Sequence, residues 1–459
     1  MIKMISLWGV RAAVLGAAAT LHAQPAYEIE TVPLLEAVQD VLKTSPGLRA
    51  EEERLRAAEQ AVASARAAGL PNVSLAASST VNDQSFDPGP EGEELFEGLF
   101  GGGGPGDDAG GGGIAIANDG IIEQNQANLS VTQPLFTGLR IKNSIEEAKF
   151  SVKAAQAQYE GVRQDFAVRV AEAHLTVFTA EEQMKSVEKS FESVSNAAKA
   201  AQISFEEGQG TKTDVALADA QLALTNARLA QSLSDNVSAR NAYVALAGRP
   251  PALVNFDEAV LPVPDDPEAV VAAAVEKSPQ VRAAVFLADA RMAGERAARG
   301  QRSPTLQLRG ALSYAENNIF EGDTTENATL TAELSMPLFQ GGAIGADIRR
   351  AAADARASRF SLAEARANAE ANARTVFARY QAAVIAREAA TARLNASELA
   401  FRGVVLERDV GQRSILDVLQ VEADLLDARV AELEARRNLI LASYRVRFIM
   451  GDLLSAPQR

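Results

Sequence analysis

The chain has 459 residues, of which 47% are hydrophobic and 23% charged, a balance that excludes a disordered polymer and leaves room for two or three domains. Its net charge of −15 argues against nucleic acid as the main partner, because phosphate binding needs a basic footprint. It has no cysteine, which excludes disulfides, thiolate chemistry, zinc–thiolate sites and a lipid on an N-terminal cysteine.

Residues 1–23 read as a signal peptide. Lys3 and Arg11 supply positive charge, Ala12 to Leu21 an apolar core, and Leu21-His22-Ala23 a small-residue cleavage site that makes Gln24 the mature start. Beyond it there is no apolar run of about 18 residues or more, so any membrane span must be built from strands. Cleavage also removes Trp8 and His22, leaving His174 as the one histidine, expected on a helix surface. It supports neither a metal constellation nor a nucleophile–base pair, so no cofactor, metal or enzymatic activity is expected. The remaining methionines, Met184, Met292, Met336 and Met450, are unclustered and lend no support to metal-specific binding.

The first half covers 24–248. Leu34, Leu35, Val38, Val41 and Leu42 keep a helical period until Ser45-Pro46 interrupts it, with an N-cap and a first-turn proline for a helix over 45–68. The period then changes to 2. A strand is predicted over 72–82, with Val73, Leu75, Ala77 and Val81 on one face and Asn72, Ser74, Ser78 and Thr80 on the other. Residues 83–124 form a glycine-rich acidic loop without phosphate- or calcium-binding spacing, and a second strand covers 127–136.

A helix over 138–207 follows. Ile141, Ile145, Ala148, Val152, Ala155, Tyr159, Val162 and Phe166 alternate steps of four and three. After one stutter to Val170 the seam resumes through to Phe205, about nine heptads in all. At about 1.5 Å per residue that helix is roughly 100 Å long, far beyond what a compact domain needs. Gly208-Gln209-Gly210 ends it, and Thr213 or Thr211 can cap the return helix over 213–247, whose first turn contains Asp214.

A proline-rich linker at 249–267 leads to a second half, 268–451, that repeats the first. Ser278-Pro279 matches Ser45-Pro46 at an offset of 233. Pro337-Leu338-Phe339-Gln340-Gly341 matches Pro134-Leu135-Phe136-Thr137-Gly138, and Gly411-Gln412 with Asp417 matches Gly208-Gln209 with Asp214, both at an offset of 203. The difference of 30 lies in the glycine-rich loop. The predicted elements are a helix over 279–301, strands over 304–315 and 328–339, a long helix over 343–409 and a helix over 414–450, before a tail at 452–459. Four strands cannot close a barrel, and open strand edges are forbidden in lipid, so several chains must share one.

The duplication, the two Pro-Leu-Phe-x-Gly junctions and the two tip turns together resemble the outer-membrane efflux proteins, the TolC-like channel-tunnels, over about residues 30–451. The resemblance implies a mixed membrane protein: a tandem-duplicated protomer of long α-helical hairpins plus four transmembrane β-strands, forming a trimeric 12-stranded barrel continued by a helical tunnel. It implies a homotrimer in the outer membrane of a Gram-negative cell, surrounded by lipid and reaching into the periplasm. There it would meet a periplasmic adaptor and an inner-membrane efflux pump or ABC exporter. Gly208, Gln209, Gly210, Gly411 and Gln412 would form adaptor-docking tips. Pro134, Phe136, Gly138, Pro337, Phe339 and Gly341 would be the strand–helix junctions. Thr213, Asp214, Arg413 and Asp417 match the family's aperture residues, with Arg–carboxylate pairs locking adjacent hairpins. Gln420 replaces a second aspartate and Arg408 a tyrosine, so one acidic ring and a different lock are expected. The expected function is a passive export duct. The heptads alone would also suit a structural rod or surface adhesin.

Overall fold

The computed structural model describes residues 32–84, 120–254, 256, 259–317 and 322–455. The predicted leader, most of the glycine-rich loop and the end of the tail lie outside them. In chain order the elements are α1 (Leu34–Thr44), α2 (Pro46–Ala67), β1 (Asn72–Gln84), β2 (Gly120–Phe136), α3 (Arg140–Glu206) and α4 (Lys212–Ala247). The second repeat gives α5 (Pro267–Lys277), α6 (Pro279–Arg299), a 3-10 turn (Gly300–Arg302), β3 (Thr305–Glu316), β4 (Thr324–Ser335), α7 (Ala343–Asp409) and α8 (Ile415–Met450).

Several boundaries differ from the sequence expectation. β2 begins at Gly120, inside the stretch read as loop, because its ladder with β1 continues to Gln84↔Gly120. β4 runs Thr324–Ser335 rather than 328–339: it pairs with β3 from Glu316↔Thr324 to Thr305↔Ser335 and ends where β3 begins. Residues 267–277, placed across the linker and the start of the second half, form helix α5, the counterpart of α1 at the 233 offset. Asp266 caps it and Pro267 opens it.

The four strands make one antiparallel sheet in the order β1-β2-β3-β4, so the repeats join through β2 and β3. The register aligns like with like. Leu75, Leu129, Leu312 and Ala328 stand in one row, and Val73, Val131, Gly310 and Leu330 in the next. The opposite face carries Ser74, Ser130, Ala311 and Thr329, then Ser78, Gln126 and Ala315. Ser74 and Ser130 share a 2.7 Å hydrogen bond there, and Gln307 donates to Glu333 at 2.9 Å. The apolar face is open: Leu75 is 73% exposed and Leu330 76%.

Three apolar clusters hold the helices. The largest, at mid-length of α3, joins Leu34, Val38 and Val41 of α1 to Val170 and Leu175 of α3, Tyr243 of α4 and Ile440 and Tyr444 of α8. A second joins Val270 and Ala274 of α5 to Ala373 and Phe377 of α7 and Val446 of α8. The third, near the hairpin tips, joins Val194, Ala198 and Ala201 of α3 to Ala218 and Leu419. His174 lies inside the first cluster and is only 3% exposed, which corrects its expected surface position. Its ring meets Tyr243 edge-on at 5.1 Å between centroids and Phe256 at 6.0 Å.

Candidate functional site

Two regions bear on function, the exposed sheet and the hairpin tips. On the sheet, the apolar face runs from Leu306 to Tyr314 along β3 and is bounded by aromatics: Tyr314 at one end, Phe136, paired with Leu306, at the other. The eight residue steps between them span roughly 27 Å along a strand. Tilted by about 40°, that is roughly 20 Å, close to the height of a membrane-facing barrel band with aromatic girdles. Among the described residues, no helix is long and apolar enough to cross a membrane.

The junctions at the foot of the sheet are unlike one another. Pro134 lies within β2, where a register shift between Pro134 and Phe136 accommodates the missing N–H. Gly138 follows at φ +60°, and a Cβ there would sit 2.3 Å from Ser303 Cβ and 2.7 Å from the Gly300 carbonyl. Only glycine fits both the left-handed backbone and that approach. Pro337 and Phe339 come after β4 rather than in it, and Phe339 is 88% exposed. Gly341 (φ +58°) has open space around it in the protomer.

The tip turns are near-copies. Gly208 (φ +77°) and Gly411 (φ +76°) are left-handed, as the closing bonds require. Gln209 N–H donates to the Ser204 carbonyl and Gln412 N–H to the Glu407 carbonyl, each at 2.8 Å. Gly210, also in the first tip, donates to Ser204 at 3.0 Å. Each return helix then starts with a reciprocal cap. Asp214 Oδ2 accepts from the Thr211 N–H at 3.0 Å and hydroxyl at 2.8 Å, while the Asp214 N–H donates to Thr211 Oγ1 at 3.2 Å. Asp417 and Ser414 repeat this at 2.9, 2.9 and 3.2 Å.

Thr211 is therefore the N-cap, and Thr213 lies exposed in the first turn of α4. The donated backbone N–H, with the cap hydroxyl beside it, holds the pKa of both aspartates below the usual carboxylate value. Within the protomer Asp214 and Asp417 are paired to their own caps. Arg413 donates from Nε to Glu407 at 2.9 Å, across the turn of its own hairpin, and that bond raises its pKa. Arg408 pairs with its neighbour Asp409, and Gln420 donates weakly to Asp424 at 3.4 Å.

One residue of this region went unread in the sequence. Glu422, one turn beyond Asp417, is 5% exposed and bonded to Ser190 and Ser193 of α3. Burial raises its pKa. Its place on the apolar stripe between Val418 and Leu425 was the available signal.

Comparisons with known proteins fit this geometry. The family model described as outer membrane efflux protein matches residues 37–249 and 270–452. The chain is 25% identical over 449 residues to outer membrane protein TolC of Vibrio cholerae, covering 92% of this chain and 91% of that one. It is 25% identical over 320 residues to outer membrane efflux protein BepC of Brucella suis, covering 69% and 70%. The open-state structure of the Neisseria gonorrhoeae MtrE outer membrane channel superposes with a TM-score of 0.71 at 20% identity, covering 91% of this chain and 88% of that one.

Proposed function

The chain belongs to the outer membrane efflux protein family, and from that premise we propose that three copies assemble into one exit duct that works with a periplasmic adaptor and an inner-membrane pump or ABC exporter. It is an outer-membrane efflux channel extending into the periplasm. The observation that carries the assembled reading is the sheet. It has an open apolar face, a polar face and, among the described residues, two unpaired edge strands, β1 and β4. Unpaired edges cannot stand in lipid. Joining β1 of one copy to β4 of the next makes twelve strands from three copies, wide enough for a lumen lined by Ser74, Ser130 and Thr329.

The tips form the periplasmic aperture. Ionised Asp214 and Asp417, repeated around a threefold axis, present an acidic ring to the passage and favour cations. Arg413–Glu407 stiffens the second tip from within, in place of a lock running from Arg413 to a carboxylate of another hairpin. Gly208 to Gly210, Gly411 and Gln412 are the docking tips for the adaptor. The test is single-channel conductance in planar bilayers, wild type beside Asp417→Ala/Arg413→Ala. Small cation-selective steps that enlarge in the variant support a pore restricted at the tips. A folded oligomer with no conductance overturns the duct, and steps unchanged by the variant overturn the aperture residues.

A further inference from the structure

The chain as a whole carries a charge of −15, yet the helix ends that meet the sheet are basic. Arg140 and Lys142 open α3, Arg299 ends α6, Arg302 ends the 3-10 turn, and Arg349 and Arg350 lie in the second turn of α7. Three carboxylates at this level are already engaged by other arginines: Glu295 by Arg299, Asp347 by Arg350 at 3.3 Å and Glu146 by Arg296 at 3.1 Å. Arg302 and Arg349 have no carboxylate partner among the described residues.

These two arginines meet over a glycine. A Cβ on Gly345, in the first turn of α7, would lie 3.4 Å from Arg349 Nη1 and 3.8 Å from Arg302 Nη2. The backbone at Gly345 is ordinary right-handed helix, so its conformation does not call for glycine, which weakens a helix. The missing side chain leaves a gap between two guanidiniums. Like charges that converge with no acid between them repel, and an anion in the gap reverses the sign of the interaction. The planar guanidinium fork matches phosphate oxygens in particular. The first repeat lacks this arrangement: the internal offsets put Gly69 at the Arg302 position and Glu146 at the Arg349 position. The pair is therefore an addition to the second repeat and not a by-product of duplication.

The gap stands at the foot of the apolar band. The 3-10 turn that carries Arg302 packs on Gly138, two residues beyond Phe136, the aromatic that closes that band. β3 begins three residues after Arg302. Just before α7, Leu338 and Phe339 are each 88% exposed. Their counterparts Leu135 and Phe136 stay 56% and 45% exposed, although β3 of the second repeat pairs alongside them. The headgroup layer is about 5–8 Å deep on each side of the hydrocarbon. An exposed apolar pair and two unengaged guanidiniums at that depth match a molecule that carries both acyl chains and a phosphate.

We propose that the space over Gly345, between Arg302 and Arg349, holds the phosphate of an anionic phospholipid from the periplasm-facing leaflet, with its chains against Leu338, Phe339 and the apolar face of β4. The proposal rests on the membrane-spanning reading of the sheet. A soluble phosphate compound shares the charge but makes no use of the apolar pair. Arginine stays cationic at every ordinary pH, so the contact responds to salt and not to pH. A lipid held this way fixes the depth at which the helical wall leaves the bilayer.

The test incubates the full-length oligomer in neutral detergent with phosphatidylglycerol and phosphatidylcholine of the same chains, and counts the lipid retained after gel filtration at low and high salt. Wild type should retain phosphatidylglycerol in preference, and high salt should weaken that preference. Arg302→Gln/Arg349→Gln should bind phosphatidylglycerol roughly 30-fold more weakly, since each cation at an anionic headgroup is worth about a factor of five. Gly345→Leu keeps both charges but fills the gap, and should lose the preference as well. Arg356→Gln removes a like charge two turns further along α7 and should keep it. A preference that survives the double variant, or falls equally in Arg356→Gln, overturns the site. Glycerol phosphate that displaces the lipid at equal concentration assigns the gap to a soluble anion and overturns the headgroup. An oligomer that conducts in planar bilayers yet shows no lipid preference overturns the site and leaves the duct standing. One that enters no bilayer overturns the reading of the sheet, and the site with it.

Discussion

His174 gives the sharpest handle on the packed middle of the helical wall. Burial between Tyr243 and Phe256 takes its pKa from 6.5 to about 4, against a weaker opposing bond with the Ala252 backbone. Nδ1 has no hydrogen-bond partner among the described residues, so a second proton there has nowhere to go. The unfolded chain therefore takes up a proton near pH 6.5 that the folded chain refuses until near pH 4. Stability linked to this group is complete above pH 6.5 and is lost as pH falls toward 4. From pH 7.5 to pH 5 the loss is about 2 kcal/mol per protomer. A loss of that size raises local opening about 30-fold. Hydrogen exchange along residues 166–178, corrected for the intrinsic pH dependence, should show it. His174→Phe keeps the aromatic packing and removes the proton site, so its exchange should stay flat over the window. The comparison with that variant isolates the histidine from the acids, including Glu422, whose raised pKa acts with opposite sign. Equal pH slopes in the two proteins would refute the reasoning, as would an imidazole titrating near 6.5 in the folded oligomer.

Other substitutions test other contacts. Gly138→Ala should cost about 2–4 kcal/mol, combining a left-handed residue with a Cβ driven into Ser303, and should lower the yield of heat-resistant oligomer. Gly403→Ala meets nothing within 4 Å, two turns before the end of α7, and should stabilise by up to about 1 kcal/mol, read as a higher dissociation temperature. Asp214→Ala and Asp417→Ala should each remove one arm of the reciprocal cap and quicken exchange in the first turn of α4 or α8. If conductance changes while that exchange does not, the aspartates act on the passage and not through their caps. Glu422→Gln keeps the serine partners and removes a buried charge, so it should be neutral or stabilising at pH 8 in the same dissociation assay.

Much of this was legible in the sequence because long elements announce themselves. The period of α3, the switch to period 2 at Asn72 and the echo of Pro-Leu-Phe-x-Gly come from local geometry, which repeats wherever the backbone repeats. What was hidden depends on neighbours. His174 lies off the single heptad seam, but α3 is packed by α4, α6 and α8 as well as α2, so more than one stripe is buried. α5 was obscured by the prolines before it, although the 233 offset from Ser45-Pro46 already implied a partner for α1. Gly120 was read by composition as loop, and only its partner strand makes it ladder. The aspartates drew notice as aperture groups, yet their spacing after Thr211 and Ser414 is equally that of a capping box.

The two unpaired sheet edges also constrain how such a molecule is made. A single copy cannot enter the bilayer, since β1 and β4 would leave rows of bare amide groups in hydrocarbon. Nor can it rest comfortably in water, with Leu75 and Leu330 facing out. Newly exported chains must therefore find one another before, or while, they insert. Biogenesis then scales steeply with local chain concentration.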